Sequence, residues 1–323
     1  MMRAIGRHVS RLTGYAPALP TPFHPFGTID FESFEAFCEL QINEGATALV
    51  ACGTTGEAPT LSPQEQHELI KAAVRIARGR VPVIAGTGSN CTRHAIELTR
   101  NAEAAGADAI LSVVPYYNKP TQAGLFEHFR AVAAATGLPT FLYDVPSRTV
   151  CGLADQTIAR LVEESRIVGL KDATGDLTRR ARLVPLVGSE FRHFSGDDAT
   201  APAFIAQGGH GCISVTSNVV PRLCGIMFQA IRDGEAARAQ QLANSMAQLT
   251  GVLFRETNPA PVKYALSLLG LMAPTLRLPL VMPSEGTQNE VGQVLSGLIR
   301  QHADQMVGNI GTVCASVPAS AVA

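Results

Sequence analysis

From about residue 14 the chain alternates two kinds of segment. Short apolar runs are followed by longer stretches in which apolar positions return every three or four residues. The runs span 15–19, 47–52, 82–85, 109–114, 139–143, 167–170, 191–194 and 211–214. Helix-like stretches lie between them at 31–43, 63–78, 92–105, 123–136, 154–163 and 199–207. Asp30, Ser62 and Asp197 stand where N-caps belong. Ser62-Pro63-Gln64-Glu65 has the spelling of a capping box. The runs are β-branched and apolar on both faces, as buried parallel strands are. Strand–helix alternation implies right-handed βαβ units, and eight of them predict a (β/α)8 TIM barrel. The alternative is an open doubly wound sheet. It lacks its glycine fingerprint: Gly86-Thr87-Gly88 is a lone G-x-G, and position 91 is Cys.

After Val215 the strands stop and three helical stretches follow, near 230–250, 259–270 and 284–301. They predict a C-terminal helical appendage. The expected organisation is an extension over 1–13, a barrel over 14–234, a helical subdomain over 235–302 and a mobile tail of small residues over 303–323.

Composition sharpens this picture. Only 16% of residues are charged while 46% are hydrophobic. A usual charged share is about 25%, so a large core, a buried subunit contact, or both are expected. Net charge is −1 with a pI near 6.7, which offers no general footprint for nucleic acid or an anionic membrane. No apolar run is long enough for a membrane helix. Residues 1–11 are basic and lack the apolar core of a secretory signal; a short extension or a transit peptide fits them. The seven cysteines (Cys38, Cys52, Cys91, Cys151, Cys212, Cys224 and Cys314) are odd in number and form no C-x-x-C pair. Free thiols in a reducing, cytoplasmic setting are expected.

Barrel active sites gather where strands end and βα loops begin. The sixth run leads from Leu170 straight into Lys171. A lysine there is partly desolvated, which favours the neutral amine that attacks a carbonyl and forms a Schiff base. The bland alternative is a lysine that reaches the rim or pairs with a carboxylate. The fifth run ends in Tyr143, beside the sixth strand, where a phenol can shuttle protons. Arg148 follows, suited to a bidentate grip on a carboxylate; a core tyrosine and a surface arginine are the plain alternative. The second run ends in Gly53-Thr54-Thr55-Gly56-Glu57, a turn with two hydroxyls and exposed amides that can bind a carboxylate. The fourth ends in Pro115-Tyr116-Tyr117-Asn118. Gly196, Ile213 and Ser214 close the last two runs. The eight histidines show no ligand spacing, so no metal site is expected. Asp197-Asp198 reads as a helix N-cap pair.

Taken together, these strand ends resemble the dihydrodipicolinate synthase family. It is a branch of the pyruvate-dependent class I aldolases and lyases that include N-acetylneuraminate lyase. The resemblance spans roughly residues 14–300 and rests on specific motifs. They are the Gly53–Glu57 turn, Pro82-Val83-Ile84-Ala85-Gly86-Thr87-Gly88, Pro115-Tyr116-Tyr117-Asn118, Tyr143-Asp144-Val145-Pro146-Ser147-Arg148-Thr149, Gly169-Leu170-Lys171-Asp172-Ala173-Thr174, and Ser195-Gly196-Asp197-Asp198. It implies that Lys171 forms the Schiff base with pyruvate. Tyr143, Thr54 and Tyr117 would form a proton relay, with Tyr117 reaching in from the neighbouring subunit. Thr55 would hold the pyruvate carboxylate and Arg148 that of aspartate semialdehyde, with Gly196 and Ile213 lining the site through backbone groups. The implied reaction condenses pyruvate with L-aspartate 4-semialdehyde to 4-hydroxy-tetrahydrodipicolinate, in lysine and diaminopimelate biosynthesis, without metal or organic cofactor. The implied assembly is a homotetramer, a dimer of dimers.

Four points bear on that implication. Arg148 favours the synthase branch over sugar-acid aldolases, which usually lack it; a 2-keto-3-deoxy sugar-acid aldolase or dehydratase is the second reading. A non-catalytic barrel would be expected to have lost Lys171, Tyr143 or Thr54, and all three are present. Asp144 stands where synthases usually carry Asn, so it either alters the relay or is neutralised by a neighbour. Finally, the lysine feedback positions of some bacterial synthases correspond here to Ala58, Pro59, Pro63, Gln66 and His94, with only Asn90 and Tyr116 matching. Weak or absent feedback by lysine is expected.

Overall fold

The computed structural model describes residues 12–163 and 166–303. The basic stretch 1–11 and residues 304–323 of the expected tail, Cys314 included, lie outside the described residues. Eight strands form one parallel sheet: β1 (Gly14–Pro17), β2 (Leu49–Ala51), β3 (Val83–Gly86), β4 (Ala109–Val113), β5 (Thr140–Asp144), β6 (Ile167–Asp172), β7 (Arg192–Ser195) and β8 (Gly211–Ser214). Each pairs with its neighbour in sequence from β2 to β8, and β8 pairs with β1. The seam between β1 and β2 is drawn together by a parallel bridge from Ala18 to Val50 and by the Leu19 amide donating to the Val50 carbonyl at 2.9 Å. This is the expected barrel.

Helices α1 (Phe31–Asn43), α2 (Pro63–Ala77), α3 (Thr92–Ala104), α4 (Gln122–Ala134), α5 (Pro146–Thr149), α6 (Asp155–Val162), α7 (Arg179–Val187), α8 (Ala201–Ala206) and α9 (Pro221–Arg232) follow the strands. Asp30 caps α1 by accepting from the Ser33 amide, and Ser62 and Glu65 form the reciprocal capping box that opens α2. Beyond the barrel lie α10 (Ala236–Leu253), α11 (Ala260–Leu268) and α12 (Glu285–Gln301).

Three expectations need correction. The single helix foreseen near 230–250 is two, α9 and α10. Gly234, with φ +77°, turns the chain between them, and Pro221 starts the first. Helix α7 was not among those predicted; it is short, polar on average and interrupted by Pro185, so its periodicity is weak. Asp197 and Asp198 cap no helix. Helix α8 begins later, after Thr200, and makes no side-chain cap.

Strand alternation divides the core in two. Ala16, Val50, Ile84, Leu111, Phe141 and Phe194 fill the barrel interior, with the rings of Phe141 and Phe194 packed edge to face at 6.0 Å. The outward residues bury the inner stripes of the helices, and those of α10 to α12 join the same cluster. Six cysteines are free among the described residues.

Two buried histidines give the fold a pH signature. His128 on α4 and His193 on β7 each leave Nε2 without a partner. Burial holds His128 down to about 4 and His193, with Arg180, His210 and Arg179 adding repulsion, to about 3. Unfolded, both titrate near 6.5. Above that pH neither form is charged. Below it the unfolded chain takes up protons that the folded one refuses, so stability falls with pH until the folded values are reached. The melting temperature is expected to drop steadily from about pH 6.5 to pH 4, at up to about 1.4 kcal/mol per pH unit for each histidine. Thermal melts across that range, with His193→Phe flattening the slope, check this.

Candidate active site

In the parallel ladder of β5 and β6, Tyr143 lies opposite Lys171 and Asp144 opposite Asp172. Leu142 and Leu170 face outward into the helical layer, so Tyr143 and Lys171 face inward at the ends of their strands. The Lys171 Nζ stands 4.2 Å above the centre of the Tyr143 ring. Both side chains are buried apart from the cleft that opens over them. That cleft has a volume of about 350 Å³ and is lined by Lys171, Tyr143, Gly53, Thr54 and Arg148 among others. At the end of β7, a Cβ on Gly196 would come within 2.9 Å of Lys171 Cε, so only glycine lets the backbone run along the lysine stem.

The hydroxyl turn is held from far along the chain. Glu57 sits in the left-handed region at φ 56°, with its amide bonded to the Thr54 carbonyl. Its carboxylate is fully buried and pairs with Lys263 Nζ at 2.7 Å; the Arg277 amide donates to its other oxygen at 3.0 Å. Lys263 also donates to the Thr21 carbonyl, and burial pulls its ammonium below the usual lysine range against the pull of Glu57. Thr55 is buried and does not line the cleft; its Oγ1 accepts from Asn258 Nδ2 at 3.1 Å. Asn258 also reaches the other side of the site, because its carbonyl accepts from Arg148 Nη2 at 3.4 Å. Sequence reasoning missed Asn258 and Lys263. The one signal for Lys263 was a single charge inside the apolar stretch Ala260–Leu268.

The other expected residues fall as follows. Arg148 is on the single turn α5, exposed at the cleft. Ile213 is buried in the barrel interior beside β1 and does not line the cleft. Tyr117 is not brought to Lys171 within one chain: it is 87% exposed, in the left-handed region at φ 72°, while Tyr116 lines the cleft instead. Asp144 is neutralised by a neighbour. Its Oδ2 accepts from Arg179 Nη1 at 2.8 Å and from the Leu153 amide at 3.0 Å. Asp198 is a buried acceptor that fastens the end of β8, receiving the Ser214 hydroxyl and the amides of Val215 and Thr216. Burial raises its carboxyl, opposed by those bonds and by the charge of Lys171.

Among the described residues, no group of three or more His, Cys, Asp or Glu side chains is placed to hold a metal, and no helix is long and apolar enough to cross a membrane. The site therefore offers an amine, a phenol, a hydroxyl turn and a guanidinium around one small cleft.

Known proteins carry the same arrangement of sequence and fold. The chain is 49% identical over 285 residues to a 4-hydroxy-tetrahydrodipicolinate synthase of Acidiphilium cryptum, covering 88% of this chain and 98% of that one. It superposes with a TM-score of 0.86 and 43% identity on the chloride-inhibited dihydrodipicolinate synthase of Acinetobacter baumannii complexed with pyruvate, covering 89% and 99% of the two chains. A structure described as the first monomeric dihydrodipicolinate synthase variant matches at TM-score 0.87 and 37% identity, over 90% and 98%. The model of the dihydrodipicolinate synthetase family matches residues 11–298. With the barrel fold and nearly the full length in common, the chain belongs to the dihydrodipicolinate synthetase family.

Proposed function

We propose that this chain is a Schiff-base lyase that condenses pyruvate with L-aspartate 4-semialdehyde to give 4-hydroxy-tetrahydrodipicolinate. The observation that carries the reading is Lys171 Nζ seated 4.2 Å over the Tyr143 ring in a cleft that Arg148 also lines. The Lys171 amine attacks C2 of pyruvate, and the carbinolamine loses water to give an imine. Loss of a C3 proton makes an enamine, whose carbon attacks the aldehyde carbon of the second substrate. The amino group of that substrate then attacks C2, closing the ring and expelling Lys171. The protonated imine is the electron sink, so the carbon–carbon bond forms without metal or organic cofactor.

Tyr143 and Thr54 are placed to pass protons at the carbinolamine and the new alkoxide. The amides of the turn serve the pyruvate carboxylate, with Thr55 holding the turn from behind through Asn258, and the guanidinium of Arg148 serves the carboxylate of the aldehyde. Gly196 and Ile213 contribute backbone at the strand ends. Tyr117, exposed and held at a left-handed backbone position, completes the relay of a neighbouring copy. The working assembly is accordingly a homo-oligomer, read as a dimer of dimers in the cytoplasm.

Incubation with pyruvate and borohydride is expected to add one reduced pyruvyl group to Lys171, located by peptide mass spectrometry; an unmodified lysine overturns the mechanism. Arg148→Ala is expected to lower kcat/KM for aspartate semialdehyde by about 10- to 150-fold, the worth of a charge-assisted contact. An unchanged value, or better turnover of a 2-keto-3-deoxy sugar acid, moves the enzyme to the aldolase reading. The cleft wall near Ala58, Pro59 and His94 offers few groups for an amino acid. Half-inhibition by lysine is therefore expected only above millimolar concentration in a steady-state titration.

A further inference from the structure

The loop that carries Arg148 leaves the barrel at Asp144 and comes back at Leu153, and one buried charge pair pinches its base. We propose that Asp144 and Arg179 form a clamp which closes this loop, and so sets the grip of Arg148 on the carboxylate of the second substrate; the proposal rests on the synthase reading above.

The clamp joins both ends of the excursion. Asp144 Oδ2 accepts from the Leu153 amide at 3.0 Å and from Arg179 Nη1 at 2.8 Å. Arg179 Nη2 donates to the Leu153 carbonyl at 2.5 Å, so both backbone polar groups of Leu153 are tied to the pair. Arg179 Nε then donates to Asp155 Oδ1 at 3.2 Å, in the first turn of α6. Asp144 and Arg179 are only 1% and 4% exposed, which removes water as a competing partner. Gly152 is part of the same fit, because a Cβ there would stand 3.0 Å from Asp144 Oδ1 and 3.1 Å from Pro146 Cγ. Inside the loop, Thr149 Oγ1 donates to the carbonyls of Val145 and Cys151, and Arg148 reaches out of the loop with a hydrogen bond to the Asn258 carbonyl. An exposed guanidinium on a single helical turn has few contacts of its own. Its place is inherited from the base of the loop.

The pair also meets a local electrostatic need. Asp144 and Asp172 sit opposite each other in the β5–β6 ladder, and like charges so placed repel. Arg179 Nη1 lies 3.5 Å from Asp172 Oδ2, so one guanidinium compensates both. Pyruvate chemistry at Lys171 uses the inward face of β6 and lies outside the loop. The clamp should therefore act on the aldehyde and leave pyruvate alone.

The test compares Asp144→Ala with Asp144→Asn in the full chain. Alanine removes the acceptor shared by Leu153 and Arg179. Asparagine keeps one oxygen for both, and Arg179 keeps Asp155 and Asp172. Asp144→Ala is expected to raise KM for aspartate semialdehyde about tenfold or more, while KM for pyruvate and borohydride trapping on Lys171 stay within about twofold. Asp144→Asn is expected to restore the aldehyde KM to within about threefold of the unsubstituted enzyme. If the alanine variant does not fold, Arg179→Lys replaces it: a point charge cannot fork between Asp144 and the Leu153 carbonyl, and the same selective rise is expected. A folded variant in which the aldehyde KM is unmoved, or in which both KM values rise together, overturns the clamp. If the unsubstituted enzyme traps pyruvate yet turns over no aspartate semialdehyde, the reading of the reaction falls and the proposal with it.

Discussion

The parallel pairing of β5 with β6 is the constraint on which the site depends. Side chains alternate along a strand with a period of two, so a slip of one residue would send Tyr143 and Lys171 out among the helices and bring Leu142 and Leu170 into the barrel. The register is fixed from both faces. Phe141 and Phe194 meet inside, Leu142 and Leu170 pack outside, and Gly169 admits the Phe141 ring, which a Cβ at that position would meet at 2.6 Å. Chemistry at the rim is thus a by-product of packing lower in the barrel.

Around this pair the site is assembled from pieces remote in sequence. The hydroxyl turn depends on Lys263, and Thr55 and Arg148 both meet Asn258, more than 100 residues from either. Taking Lys263 away would strand a buried carboxylate, at a cost of about 3–5 kcal/mol. A whole domain has a margin of only about 5–15 kcal/mol, so the turn is secured by an interaction the fold cannot spare.

The legible part of the sequence was the part governed by short-range rules. Eight apolar runs gave the barrel, and the residues that end them gave Lys171, Tyr143, Thr54 and Arg148. The cleft indeed gathers these four. What stayed hidden depends on distance. Arg179 stands beside Arg180, and nothing local says which of the two is buried. Asp198 looks like a cap because it precedes a helix, yet its partners are Ser214, Val215 and Thr216, at and just beyond the end of the next strand. Lys263 drew no attention as one charge in an apolar helix, and it is fully buried. Tyr117 was expected in a neighbour's site; in the single chain it stands exposed and away from Lys171. Helices α9 and α10 ran together because Gly234 is a weaker break in sequence than a left-handed glycine is in space.

The Glu57–Lys263 pair has a consequence for taking the molecule apart. Its acid belongs to the second βα loop and its base to a helix beyond the eighth strand. The C-terminal helices are therefore no detachable module. A gene fragment ending at the last strand would encode a barrel with an ionised group sealed inside it and nothing to answer it. Shuffling barrel and tail between relatives preserves that answer only where both partners travel together or are matched in both parents.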